Sequence, residues 1–280
     1  MVEVGAGLDA RVTLLDGFGI NLSATVAGVD LGELPHCVQR LVAHLCLSGR
    51  PARSAIAGQL WPDVSENHAH GSLRSALWRL QKVAPGLVEA SAGRLALADG
   101  VRVDVRELSE WIRRVGDPQA DVRDVDVPAE GLLGELLPGW YEDWVLLERE
   151  RLRQLRAQAL EHLAARLVKV GRYREALETA FAAVRADPLR ESAHRTVVQV
   201  HLSQGNVADA LRAYEQFRLL LADELSVQPS ELMVRLVRGI LGSPAPHPQV
   251  VRAHVGERGR PAPPVMAINI PMARGNEKAG

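Results

Sequence analysis

Residues 65–98 read SENHAHGSLRSALWRLQKVAPGLVEASAGRLALA. Ser65 is a residue type that caps helix starts. Behind it Leu73, Leu77 and Leu80 fall at i, i+4 and i+7, with Ala69 and Ala76 beside them. That spacing predicts a helix to about residue 83 with one buried stripe. Pro85-Gly86 stops it. Residues 87–90 and 95–98 then read as two short strands around Ser91-Ala92-Gly93-Arg94, a hairpin.

Working outward, residues 11–18 and 21–29 alternate in polarity, with Gly17, Gly19 and Gly28 at breaks, and read as strands. Pro35 opens a helix whose apolar face is Val38, Leu41, Val42 and Leu45, and Gly49 ends it. Residues 53–61 form a short helix with Ile56 and Leu60 on one face, closed by Pro62. The order is strands, three helices, hairpin. This is a winged helix-turn-helix preceded by a small sheet, in which the third helix fits a DNA major groove and the hairpin tip meets the backbone or minor groove.

At about 100° per residue, Gly71, Ser75, Trp78 and Lys82 face away from the buried stripe, flanked by His68, Arg74 and Arg79. Gly71 lets a helix backbone approach DNA closely. Arg74 suits a guanine edge, and Ser75 suits a base or phosphate. Arg79 and Lys82 suit phosphates, Arg94 is placed for a wing contact, and Arg53 starts a helix where a phosphate can be held. Two readings of Trp78 stand side by side: an outward indole, or one packed on the wing. Cations on an exposed helix are commonly no more than a solvated face, so the surrounding architecture decides the DNA reading. His68 and His70, at i and i+2, do not face each other, and no metal site is expected.

Past residue 103 the pattern turns helical. Asp104 and Glu107 are spaced as a capping box before Leu108, Trp111, Ile112 and Val115. Residues 116–131 are polar, acidic and proline-containing, a loop or a weak linker. Pro138 to Trp144 marks a turn into a long helix over 145–170. Glu148, Glu150 and Glu161 lie there among arginines, where i,i+4 pairing accounts for them. Gly171-Arg172-Tyr173-Arg174-Glu175-Ala176-Leu177 then matches Gly205-Asn206-Val207-Ala208-Asp209-Ala210-Leu211 at an offset of 34 residues, the period of tetratricopeptide helix pairs. Such pairs leave a groove for partners. Residues 243–280 are rich in Pro, Gly and Arg and read as a flexible tail. The expected fold class is mainly α: a winged helix-turn-helix with a small β-sheet over 1–103, an all-α tetratricopeptide-like domain over 104–242, and the tail.

A length of 280 residues fits more than one core. No apolar run reaches the roughly 20 residues of a membrane span, and MVEVGAGLDARV is no secretory signal, so the expected location is cytoplasmic. Cys37 and Cys46 lie nine residues apart on opposite faces of one helix and are packing residues, not a disulfide. The net charge of −1 makes any DNA footprint local. No Gly-x-Ser-x-Gly elbow, no His-Glu-x-x-His and no ligand cluster is present, so neither catalysis nor a cofactor is expected.

These residues resemble the Streptomyces antibiotic regulatory protein (SARP) type of transcriptional activator. The front half is similar to the winged helix of OmpR-type response regulators, and the back half to the bacterial transcriptional activation domain. The resemblance is carried by LWPD at 60–63, LRSALWRLQK at 73–82 and LLPGWYEDWVLLERERLR at 136–153, and it covers about 11–241. It implies binding of double-stranded DNA at promoter direct repeats, self-association on that DNA, and recruitment of RNA polymerase. The positions matching its recognition helix are Ser72, Arg74, Ser75, Arg79 and Lys82. Gln81-Lys82 stands where members often carry two arginines, and His70 where they carry one, so this helix is less basic than the pattern. No GxxxxGK[ST] loop and no preceding receiver domain are expected. The competing reading is a protein-interaction scaffold whose helical repeats do the work while DNA binding has weakened or been lost.

Overall fold

Val12 and Leu14 are buried while Arg11 and Thr13 are half exposed, the alternation of a strand with one face on a core. In the computed structural model, which describes residues 9–22, 34–121 and 132–241, this strand is β1 (Ala10–Thr13). It pairs antiparallel with β2 (Gly19–Leu22), Ala10 opposite Leu22. The expected strand over 11–18 is cut short because Asp16 (φ +59°) and Gly17 (φ +138°) turn the chain. The ends of two expected segments, 23–29 and 122–131, and the whole expected tail, 243–280, lie outside the described residues.

Helices α1 (His36–Ser48), α2 (Arg53–Leu60) and α3 (Glu66–Val83) follow, then the hairpin of β3 (Val88–Ser91) and β4 (Arg94–Leu97). Its two turn residues, Ala92 and Gly93, both have positive φ, as a tight two-residue turn needs. The hairpin also fastens to the α1–α2 connection: Arg53 N–H donates to Gly93 C=O at 3.0 Å and Leu95 N–H to Pro51 C=O at 3.1 Å. A strand too short to show in the sequence, β5 (Arg102–Val103), runs parallel to β1, giving the order β2-β1-β5.

Chain leaving β5 enters α4 (Asp104–Gly116) directly. The expected capping box does not form. Glu107 pairs with Arg11 at 2.8 Å, and Asp104, almost wholly buried, reaches across the fold. Its carboxylate accepts the N–H groups of Leu14 (2.8 Å), Leu15 (2.9 Å) and Val105 (2.7 Å). Burial pushes its carboxyl above the ordinary range, and the three N–H donors pull the other way. Arg106 caps the end of α1 by donating to the carbonyls of Cys46 and Leu45. Cys46 is buried, which lifts its thiol to about 12, and Cys37 is half-buried; both are free.

The stretch that Asp104 fixes pairs with the start of the helical part. Leu137 N–H donates to Leu14 C=O and Asp16 N–H to Glu135 C=O, both at 2.8 Å. Arg149 folds the next turn around its guanidinium, donating to the carbonyls of Leu136 (2.8 Å), Leu137 (2.6 Å) and Trp140 (3.0 Å). Residues 140–144 then dock on α1. Trp140 stacks near Phe18 and meets His36 edge-on at 4.7 Å, Glu142 pairs with Arg40 at 3.1 Å, and Trp144 meets the buried His44 at 5.5 Å.

Helices α5 (Asp143–Lys169) and α6 (Tyr173–Ala186) form one antiparallel pair, α7 (Glu191–Ser203) and α8 (Val207–Leu225) the next, with α9 (Glu231–Leu241) against α8. The 34-residue match is geometric as well as textual. Gly171 and Gly205 sit at φ +78° and +77°, where L side chains are strained. Arg172 N–H bonds Leu167 C=O, and Asn206 N–H bonds His201 C=O, the same helix-ending motif twice. Ala176 and Ala210 are both fully buried. The acidic residues of α5 depart from the i,i+4 expectation. Glu148 and Glu150 pair at i+3 with Arg151 and Arg153, and Glu161 crosses to Arg190 at 2.6 Å and Ser192 at 2.8 Å on the α6–α7 side. One apolar core runs from β1 through α7, and a smaller one gathers Val198, Phe217 and Met233.

Replacing Asp104 by Ala strands three backbone N–H groups, at about 1–3 kcal/mol for each buried donor left unmade. A loss of roughly 3 kcal/mol is expected, read as a lower urea midpoint at unchanged slope. A loss below about 0.5 kcal/mol would show that these donors find other partners.

Candidate nucleic-acid interface

Helix α3 is amphipathic. Ala69, Leu73, Ala76 and Leu80 are buried against α1 and α2, and this fixes which side chains point outward. Arg74, Ser75, Trp78, Arg79 and Lys82 are exposed, and Gly71 and Ser72 are half exposed. Ser65 occupies the position before the helix, as expected, but its hydroxyl lies 2.7 Å from His68 Nδ1 and makes no capping bond to the backbone.

Five of the sequence-selected residues come together. Gly71, Ser72, Arg74, Ser75 and Arg79 line one shallow concavity, with Asn67 at its edge. Asn67 went unselected, although it lies on the stripe of Gly71, Ser75 and Trp78 at i, i+4, i+8 and i+11, so the helical period could have found it. Cys37 of α1 and Trp61 after α2 also line it; nothing in their types marks them as groove residues.

Trp78 and Lys82 form a second group. The indole is 59% exposed, so of its two expected readings the outward one holds. Lys82 Nζ sits 3.8 Å from its ring centroid, a cation–π contact that holds both on the surface. Arg53 and Arg94 form a third group, where the hairpin turn is tied to the start of α2. Arg94 follows the turn as the first residue of β4. One of its guanidinium nitrogens donates to Arg50 C=O at 2.9 Å, which leaves other donors outward.

The electrostatics of α3 follow from pairing more than from charge totals. Its one acidic residue, Glu66, lies at the helix start, 3.7 Å from His70. Among the described residues Arg74, Arg79 and Lys82 have no carboxylate partner. In the helical part the reverse is common: Arg149, Arg151, Arg153, Arg172, Arg190 and Arg218 are all in ion pairs. Unpaired, exposed cations beside a small residue and a serine present hydrogen-bond donors to an anionic ligand at no cost in broken salt bridges. No grouping of His, Cys, Asp and Glu suited to a metal occurs among the described residues. No helix there is long and apolar enough to cross a membrane.

Known proteins bear on this arrangement in three ways. Residues 108–241 match the family described as bacterial transcriptional activator domain. The regulatory protein AfsR of Streptomyces coelicolor is 33% identical over 215 residues, covering 72% of this chain and 21% of that one. AfsR of Streptomyces griseus is 32% identical over 221 residues, covering 71% and 22%. This chain therefore spans about a fifth of the length of those relatives. In fold it is similar to Mycobacterium tuberculosis EmbR, solved in complex with a low-affinity phosphopeptide, with a TM-score of 0.62 at 19% identity over 84% of this chain and 65% of that one. Residues 108–241 are thus a bacterial transcriptional activator domain, and over 71–72% of its length the chain is similar to regulators of the SARP type.

Proposed function

We propose that the protein is a sequence-specific regulator that binds double-stranded DNA at promoter direct repeats, self-associates there and activates transcription by contacting RNA polymerase. In this reading residues 1–103 read DNA, residues 104–242 contact the polymerase, and 243–280 form an accessory tail. The observation that carries it is the outward face of α3, whose cations are left unpaired while arginines of the helical part are tied in ion pairs. Arg74, Ser72 and Ser75 meet base edges or adjacent phosphates. Arg79, Lys82 and Arg53 hold phosphates, Trp78 packs its indole against the sugar edge, and Arg94 follows the backbone beside the hairpin. The match of residues 108–241 to the bacterial transcriptional activator domain supports the polymerase contact.

A scaffold reading, with protein partners only, is favoured by one observation. The chain is near neutral, and Gln81 and His70 leave α3 less basic than its relatives' pattern. The two readings part in a gel-shift titration against the protein's own upstream DNA. DNA reading predicts a shifted complex whose affinity falls steeply with salt. Absence of any shift at low salt leaves the scaffold.

Arg74→Ala is expected to cost about 1–3 kcal/mol on the preferred site and to relax sequence preference, while Lys82→Ala weakens all sequences alike and lowers the salt slope by about 1. Equal effects of the two variants on every sequence would remove Arg74 from base reading. Gly71 gives a separate test. A methyl there meets only Arg74, at ordinary contact distance, and the backbone is helical. Gly71→Ala should therefore raise stability by about 0.5–1 kcal/mol. If the DNA backbone approaches this turn closely, the same change weakens binding; unchanged affinity would place Gly71 away from DNA.

A further inference from the structure

Away from α3, three arginines of α5 lie at i, i+4 and i+7: Arg149, Arg153 and Arg156. They share a helix face, and Arg185 of α6 joins them around a cavity of about 490 Å³. The cavity lies where the two parts of the fold meet, since Leu15 beyond β1 and Leu108 of α4 line it together with α5 and α6. Its size falls within the roughly 300–1,000 Å³ of small-molecule sites.

The four guanidinium groups are not equally committed. Arg149 is spent on three backbone carbonyls and Glu135, and Arg153 on Glu150 and Asp187. Arg156 is half committed. Its Nη1 donates to the carbonyls of Leu133 and Gly134 at 2.6 Å each, but its Nε is buried with no hydrogen-bond partner. Burial works against its charge, while the carboxylates of Asp16 and Glu135 partly support it. Arg185 is exposed and has no carboxylate partner among the described residues. Apolar surface completes the wall through Leu152, Ala182 and Ala186.

We propose that this cavity binds a small organic anion, with a carboxylate or phosphate head on Arg156 and Arg185 and an apolar body against Leu108, Leu152 and Ala186. A buried N–H left without a partner is uncommon in folded proteins, and an anionic head both accepts from it and offsets the buried guanidinium charge, whereas a neutral acceptor supplies only the hydrogen bond. A bound body touches Leu15 and Leu108 on one side and α5 and α6 on the other, so the ligand bridges the joint. The assignment does not depend on the DNA reading.

The test uses the full chain with phenyl phosphate and benzoate as probes, phenol as the neutral analogue, and sodium chloride at matched ionic strength. Thermal shift and calorimetry are the readouts. A saturable rise in Tm is expected with at least one anion and none with phenol, and the tighter of the two identifies the head group. Arg185→Gln should weaken binding about tenfold or more, the loss of one charge-assisted contact, without moving the ligand-free Tm. Ala186→Leu, which narrows the cavity and removes no charge, should weaken it as well. No saturable effect beyond chloride overturns the proposal. So does binding that survives both variants, or binding lost in Arg74→Ala instead, which would place the anion on α3.

Discussion

The carboxylate of Asp104 takes the amide hydrogens of Leu14, Leu15 and Val105 in a place almost closed to water. The first two donors belong to chain that has just left β1 and cannot continue as a strand, because Asp16 and Gly17 turn it. Held there, Leu14 and Asp16 offer their own backbone groups to residues 135–137, and the helical part begins in register with the sheet. Gly134 belongs to the same arrangement. A Cβ at that position would lie 2.2 Å from the Asp16 carboxylate, so a larger residue would displace that side chain from its bond with Glu135 N–H. A buried carboxylate of this kind is costly to desolvate and costlier to leave half-satisfied, so it specifies one arrangement of its neighbours.

From that joint the geometry passes outward through α1. The helix is gripped on one side by Trp140, Glu142 and Trp144, and on another it packs against α3. Leu137 adopts a left-handed φ of +45° while fully buried, a conformation a leucine holds only where its surroundings over-determine it. Arg149, donating to the carbonyls on either side of that residue, is what over-determines it. The segment at 136–153 therefore acts as the fastener between the two halves. The outward face of α3 is set by a chain of contacts that starts in the helical part.

Legibility in the sequence followed the range of the interaction. The helices, the hairpin and the 34-residue repeat were readable because each is written in local spacing: Leu73, Leu77 and Leu80 for α3, Gly171 and Gly205 for the paired turns. The outward set on α3 was readable for the same reason, and Asn67 was within reach of it. Elements built from distant partners were not. β5 is two residues long and exists because β1 lies beside it. Asp104 has the spacing of a helix cap, yet two of its three partners are about ninety residues away. Glu161 has the surroundings of an intrahelical pair, yet it closes onto Arg190. A residue type and its neighbours state what a side chain can do, and the fold chooses among those options when burial makes one partner far more valuable than the rest.

The proposed DNA reading carries a consequence that the charge distribution sharpens. Each phosphate neutralised releases counterions, so affinity scales with the number of cations free to reach the backbone. On α3 and the hairpin edge that number is small: Arg53, Arg79, Lys82 and part of Arg94, with Arg74 turned to bases. On that reading a single copy would bind DNA weakly at ordinary salt, and two copies on adjacent repeats would add their contributions through effective concentration without new base contacts. Direct repeats also set the kind of contact between copies. Two chains placed head to tail meet through different surfaces, unlike the self-matching patch of a two-fold dimer. The winged helix and activator domain form one compact unit to Leu241, so each bound copy carries its helical part at an angle fixed by the joint. On the proposed reading, the Asp104 joint would set where a bound copy displays its helical part.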